Sequence, residues 1–167
     1  AYRNTLAPSK ALYNRLRDPL IGGARSALIN DVSTPAKTDF YVQLLYWRSN
    51  NDNPTYLFRL AEQYLIRSEA RSKKETPDLV GALADLNAVR NRSSIASFES
   101  TSREEILLAI EEERRVEFAF EPHRWFDLVR TGRAGTVLGV NDTQKWIFPI
   151  PYNDLAADPA LVQNPGY

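Results

Sequence analysis

The chain has 167 residues, of which 43% are hydrophobic and 25% charged, so its composition is that of a globular protein. Lysine plus arginine equal aspartate plus glutamate at 21 each, which removes the basic excess that nucleic acids and anionic membrane surfaces select. The absence of cysteine excludes disulfides and thiolate chemistry, and a single histidine, His123, excludes a histidine metal cluster. We therefore expect no nucleic-acid partner, no metal and no other cofactor.

The sequence begins at Ala1 without a methionine, so we expect it to be processed or excised from a longer protein. A signal peptide or lipid-bearing cysteine would then precede it. No apolar run approaches the roughly 20 residues that a membrane-spanning helix needs.

Residues 1–55 are expected to form an irregular arm. A possible capping residue, Ser9, and the shared face of Leu12 and Leu16 predict one short helix over residues 8–17. The aromatic and β-branched run at 40–47 indicates an extended segment, and the polar residues that follow it indicate a loop.

Residues 56–132 carry helical periodicity and are expected to form the core. The first helix is predicted from about Tyr56 to Lys74, and the second opens with Thr76 as N-cap and Pro77 in the first helical position. The buried stripe predicted for the first helix comprises Leu57, Leu60, Ala61, Tyr64, Leu65 and Ser68.

Two further helices follow. The third opens at Ser102, where Glu105 completes a capping-box pattern, and continues to about Phe120. The fourth runs from His123 to Arg130, with Gly132 as its C-terminal stop. Short connections predict a mainly α fold of stacked antiparallel helical hairpins, similar to tetratricopeptide units, with residues 133–167 as a C-terminal loop region wrapped on them.

Several segments carry a resemblance to a known family. Residues 59–70 read RLAEQYLIRSEA, and Asn87, Arg90 and Arg92 give an N-x-x-R-x-R pattern. Residues 112–121 read EERRVEFAFE and residues 123–132 read HRWFDLVRTG, while the end of the chain contains FPIP and QNPGY. In this order, the motifs resemble those of the SusD/RagB family, and the chain over residues 1–167 looks like the C-terminal domain of such a protein.

The resemblance implies a function without covalent chemistry. Members are lipoproteins on the outer face of the outer membrane, where they bind oligosaccharide or glycoprotein-derived glycan and pass it to a SusC-like, TonB-dependent transporter. The lipid anchor would lie in an N-terminal region that precedes this chain. The motifs themselves do not identify the glycan.

Three carboxylates, Glu113, Glu117 and Glu121, are spaced to lie along one helix face. Two of them as an acid/base pair would make a glycoside hydrolase, but such a pair faces across the sugar, whereas these point the same way. We therefore predict no catalytic residue and a structural ion-pair network instead. Its expected members are Arg59, Glu62, Glu69, Glu113, Arg114, Glu117, Glu121, Arg124 and Arg130.

Tyr46, Trp47 and Arg48 form an aromatic cluster beside hydrogen-bonding residues and a polar loop. They are the candidate ligand-binding residues, although packing of the aromatic rings in the core also explains them and is the favoured interpretation. A third possibility for the whole chain is a helical scaffold that docks the transporter without a glycan site of its own.

Overall fold

The computed structural model describes residues 7–45 and 56–167. The chain divides into two compact units, Ala1–Glu121 and Pro122–Tyr167. Ligand-binding residues predicted at Tyr46, Trp47 and Arg48 lie outside the described residues.

The N-terminal part of the first unit contains short elements. Helix α1 (Lys10–Arg17) begins as predicted after Ser9, whose Oγ accepts a hydrogen bond from the Leu12 N–H at 3.2 Å. A 3₁₀ helix (Gly23–Leu28) leads into strand β1 (Ile29–Asp31), which pairs antiparallel with β2 (Tyr41–Gln43). The predicted extended segment is therefore one strand of a hairpin.

Helices α2 (Leu60–Lys73) and α3 (Leu79–Arg92) form an antiparallel hairpin, and α4 (Arg103–Glu117) packs against both. The Ser68 hydroxyl donates to the Ala82 carbonyl at 2.7 Å, a small polar contact that lets the two helices approach closely. The hydrophobic cluster between these helices has eight buried members: Ala61, Leu65, Ala82, Leu86, Val89, Ile106, Ile110 and Phe118.

A second hydrophobic cluster joins the other side of α4 to the N-terminal elements. Val116 and Ala119 pack there with Leu16, Ile29 and Tyr41. Because both clusters include residues from the end of α4 and the turn after it, this helix connects the helical hairpin to the N-terminal elements.

The first core helix begins four residues later than predicted. Arg59 is extended, with φ −127° and ψ 142°, and makes no side-chain cap. Leu57 and Leu60 are 79% and 72% exposed, so the predicted buried stripe is wrong at its beginning. The stripe that is buried comprises Ala61, Leu65, Ser68 and Ser72.

The N-cap of α3 is Asp78, so the prediction of Thr76 was wrong. The Asp78 carboxylate accepts from the Gly81 N–H at 2.9 Å, and Pro77 lies outside the helix. Aspartate caps more effectively than threonine, which explains the later start.

The third predicted helix opens correctly at Ser102, whose Oγ accepts from the Glu105 N–H at 3.3 Å. It ends at Glu117 rather than near Phe120, because Phe120 has a left-handed φ of 72° that a helix cannot continue through.

The second unit contains three short α-helices, α5 (Arg124–Arg130), α6 (Ala134–Leu138) and α7 (Tyr152–Ala157), and a 3₁₀ helix (Thr143–Trp146). Gly132 follows α5 with φ 71°, which confirms it as the predicted stop. The Gln163 side-chain amide bonds both the N–H and the carbonyl of Ile150, at 2.8 and 3.0 Å, much as a paired strand residue would. The terminal residues thereby hold residues 147–150, while their predicted wrapping around the helices stays a prediction.

Asp78→Ala should lower the free energy of unfolding by about 1 kcal/mol, because the first turn of α3 loses its cap. Chemical denaturation measures the change. Thr76→Ala is the control and should change stability by less than about 0.5 kcal/mol, since Thr76 is exposed and outside the helix. Equal effects of the two substitutions would contradict the assignment of Asp78 as the cap.

Candidate functional site

Glu117, the last residue of α4, is bound by three arginines. Its side chain is only 1% exposed and accepts hydrogen bonds on both oxygens. Arg25 Nε donates to Oε2 at 2.8 Å, Arg59 Nη1 to Oε1 at 2.6 Å, and Arg92 Nη2 to both oxygens at 2.7 Å. Each carboxylate oxygen therefore has two donors.

Two neighbouring carboxylates extend this arrangement. Glu113, one turn earlier in α4, accepts from Arg25 Nη2 and, at 3.1 Å, from Arg90 Nη1. Glu121 lies beyond the helix and accepts from Nε and Nη2 of Arg59 at 3.2 and 2.7 Å. The arginine–carboxylate cluster is defined as Arg25, Arg59, Arg90, Arg92, Glu113, Glu117 and Glu121.

Burial alone would raise the pKa of the Glu117 carboxyl, because an ion loses hydration in the interior. The charge of Arg25, the hydrogen bond from Arg59 and the charge of Arg92 outweigh that effect, so the pKa of Glu117 is lowered. Glu117 is therefore ionised at neutral pH, which makes it an anchor for arginines and a poor proton donor.

A cavity of about 390 Å³ opens beside the cluster. Its charged walls are Arg25, Arg59, Arg92, Glu117 and Glu121. The remaining walls are mostly apolar and include Ala24, Leu28, Leu45 and Tyr56. Pockets that bind small molecules are commonly of this size and combine apolar walls with a few polar groups.

A separate ionic contact joins α2 to α3. Asp85 on α3 is buried and accepts from Arg67 Nε and Nη2 at 2.8 and 2.6 Å, and from Arg71 Nη1 at 2.9 Å. These residues do not line the cavity, so we assign them a role in holding α2 against α3.

The structure brings four predicted network residues together: Arg59, Glu113, Glu117 and Glu121. The structure gives a position or a contact for each of the other predicted members. Glu69 pairs with Lys73 at 2.6 Å, the Arg114 guanidinium lies over the Phe118 ring, and Arg130 pairs with Asp127 at 2.9 Å in the second unit. Glu62 is in the first turn of α2, and Arg124 is the first residue of α5.

Sequence reasoning did not place Arg25, Arg90 or Arg92 in the network. Arg90 and Arg92 belong to the N-x-x-R-x-R pattern, so their spacing on α3 was a usable signal. Arg25 belongs to no pattern and lies 92 residues from Glu117 in the sequence.

Across residues 7–45 and 56–167, no group of three or more histidine, cysteine, aspartate or glutamate side chains is arranged to hold a metal ion. In the same residues, no helix combines the length and apolar character needed to cross a membrane.

The SusD family model matches residues 37–144, which is more than half of the chain. The chain therefore belongs to the SusD family. Its matched region contains the helical hairpin, α4 and the carboxylates of the cluster.

The curated relatives are longer than this chain. SusD-like protein P38 of Formosa agariphila is 32% identical over 131 residues, covering 71% of this chain and 26% of the relative. Starch-binding protein SusD of Bacteroides thetaiotaomicron is 31% identical over 128 residues, covering 70% and 22% respectively. The chain thus spans about a quarter of the length of the curated relatives it matches.

A solved structure has the same fold. Surface glycan-binding protein A from Bacteroides uniformis superimposes with a TM-score of 0.66 at 25% identity, over 84% of this chain and 37% of that protein. The mainly α, tetratricopeptide-like fold expected from the sequence is confirmed.

Glu117→Gln should lower the free energy of unfolding by about 3 kcal/mol, because it removes the charge that compensates Arg25 in the interior. Glu112→Gln, on the same helix, should cost about 1 kcal/mol or less because Glu112 is 36% exposed. Thermal or chemical denaturation compares the two. Indistinguishable stabilities would contradict a structural role for the cluster.

The stabilising effect of Glu117 should depend on pH. Since its folded pKa is lowered from the ordinary 4.5, the contribution is fully present above about that pH and is lost as the pH falls through the folded value. The stability difference between the wild type and Glu117→Gln should therefore shrink as the pH falls from neutral to below 4.5. A difference that stays constant over this range would contradict the lowered pKa.

Proposed function

We propose that the chain is part of a non-catalytic, cell-surface glycan-binding component of a TonB-dependent nutrient uptake system. The protein would be held at the outer membrane by a lipid anchor outside this chain and would deliver oligosaccharide to a SusC-like transporter. The observation that carries the proposal is membership of the SusD family, together with relatives named for starch binding and glycan binding.

The state of the carboxylates supports a function without hydrolysis. A glycosidase acid must keep its proton near neutral pH, which requires a raised pKa. Glu117 has the opposite shift, and its two oxygens are occupied by arginine donors. Glu113 also accepts from two arginines. These residues are therefore better suited to hold the fold than to attack or protonate a glycosidic bond.

For the glycan contact, we propose the sequence-predicted residues Tyr46, Trp47 and Arg48. Tyr46 directly follows Leu45, which lines the cavity beside the arginine–carboxylate cluster. An aromatic ring offers an apolar face to the C–H groups of a sugar, and an arginine donates to its hydroxyls.

Binding and hydrolysis should be measured together, on a panel of neutral and acidic polysaccharides. Retardation in affinity electrophoresis without release of reducing ends is the expected result. Hydrolysis that Glu117→Gln abolishes would overturn the proposal in favour of a glycoside hydrolase. Co-purification with a transporter, without retardation by any glycan, would overturn it in favour of a helical docking scaffold.

Trp47→Ala should weaken binding of the retained glycan by about tenfold, since one aromatic stacking contact is worth about 1.4 kcal/mol. The measurement is isothermal titration calorimetry. Tyr152→Ala is the control, because Tyr152 is an aromatic residue that is 81% exposed in the second unit, and it should leave the affinity unchanged. Unchanged affinity in Trp47→Ala would remove this residue from the site.

A further inference from the structure

The cavity beside the arginine–carboxylate cluster has an excess of hydrogen-bond donors. Its acceptors are used: each oxygen of Glu117 already accepts two hydrogen bonds, and both oxygens of Glu121 accept from Arg59. A ligand that brought further donors would find few acceptors there. A ligand that brought acceptors would find arginine N–H groups able to donate to it.

Arg25 supplies the first unused donor. The residue is only 5% exposed, and its Nε and Nη2 are bonded to Glu117 and Glu113. Its Nη1 is buried and has no hydrogen-bond partner within the described part of the chain. A buried N–H without an acceptor costs free energy, about 1–3 kcal/mol and more for a charged group. Arg25 is one of the residues that line the cavity, so its positive charge lies at the cavity wall.

Arg92 supplies the second. Within the described ranges it donates only through Nη2, to Glu117, which leaves Nε and Nη1 for solvent or another acceptor. Its side chain is 56% exposed and is therefore reachable from outside. Nε and Nη1 lie on different edges of the guanidinium, so each would donate to a separate acceptor, and one oxygen of a ligand's carboxylate suits either donor.

The charge balance has the same sign. Three guanidinium groups and two carboxylates line the cavity, so its walls carry a net positive charge of one. The complete cluster repeats this balance, with four arginines and three glutamates. The charge of Arg25, which is 5% exposed, lies in a region of low dielectric, where its attraction for an anion is stronger than it would be in water.

The apolar walls restrict the kind of anion. Leu28, Leu45 and Tyr56 give the cavity a surface that suits the C–H face of a sugar ring. We propose that the cavity binds the carboxylate of an acidic sugar unit through hydrogen bonds from Arg92 and the positive charge of Arg25. This inference rests on the proposed glycan-binding function and specifies its substrate class as glycans that contain uronic acids.

Galacturonate, its methyl ester and galactose test the proposal on the unaltered chain, because they share a ring and differ in charge. By titration calorimetry at low salt, galacturonate should bind at least about tenfold more tightly than the other two, which is about 1.4 kcal/mol. Equal binding of the acid and its ester would overturn the proposal. Equal binding of acetate and galacturonate would also overturn it, because the cavity would then recognise an anion and not a sugar.

Arg92→Gln should remove most of the preference for galacturonate, reducing its affinity about tenfold. Arg67→Gln is the matched control: Arg67 is also 56% exposed and also donates to a buried carboxylate, that of Asp85, away from the cavity. It should bind galacturonate as the wild type does. Circular dichroism checks that both variants fold. Loss of affinity in both variants, or in neither, would overturn the assignment of the carboxylate to this cavity.

Affinity electrophoresis on the polysaccharide panel, together with these titrations, separates this inference from the function on which it rests. Retention by neutral glycans, with no preference for galacturonate over its ester, would overturn the acidic-sugar site and leave the proposed glycan-binding function in place. Retention by no polysaccharide, acidic or neutral, would overturn the proposed function itself.

Discussion

The buried contact between Glu117 and three arginines is the constraint on which the first unit depends. The arginines come from three separate places: the 3₁₀ helix, the residue before α2, and the last residue of α3. Removing a carboxylate from water is expensive, and only well-placed partners offset the cost. Glu117 also ends a helix, where the helix dipole disfavours a negative charge. These three segments must therefore arrive together for any of them to be correctly placed.

Helix α4 is central to the first unit because it carries both buried apolar residues and the buried carboxylates. Ile106 and Ile110 belong to the hydrophobic cluster that α4 shares with α2 and α3. Val116 belongs to the hydrophobic cluster that α4 shares with α1 and the strands. The end of the same helix carries Glu113 and Glu117. Hydrophobic burial supplies the driving force for packing, and the ionic contacts add direction, since the planar N–H groups of a guanidinium donate only in fixed directions. A chain with no net charge can in this way still hold a locally positive cavity.

Much of the local structure follows from short sequence patterns. The caps Ser9 and Ser102 and the stop at Gly132 were predictable, because a cap or a left-handed glycine acts within one turn of the helix. Patterns were less informative where no cap exists. The start of α2 was predicted too early. Leu57 fits the helical spacing of apolar residues, but the backbone is still extended at Arg59, just before the helix begins. Asp78 is the cap instead of Thr76 because two residues with capping side chains stand close together and aspartate is the more effective of the two.

The sequence by itself determined the family, the helical fold and the presence of closely spaced carboxylates that need cationic partners. It did so because those features depend on neighbours within a few positions of each other. Only the tertiary structure decided which arginines serve as the partners. Arg25 and Glu117 are 92 residues apart, and nothing near Arg25 marks it as one end of a buried ion pair. The cavity could not be predicted from the sequence either. Which arginine N–H groups find an acceptor is decided only when folding brings distant segments together.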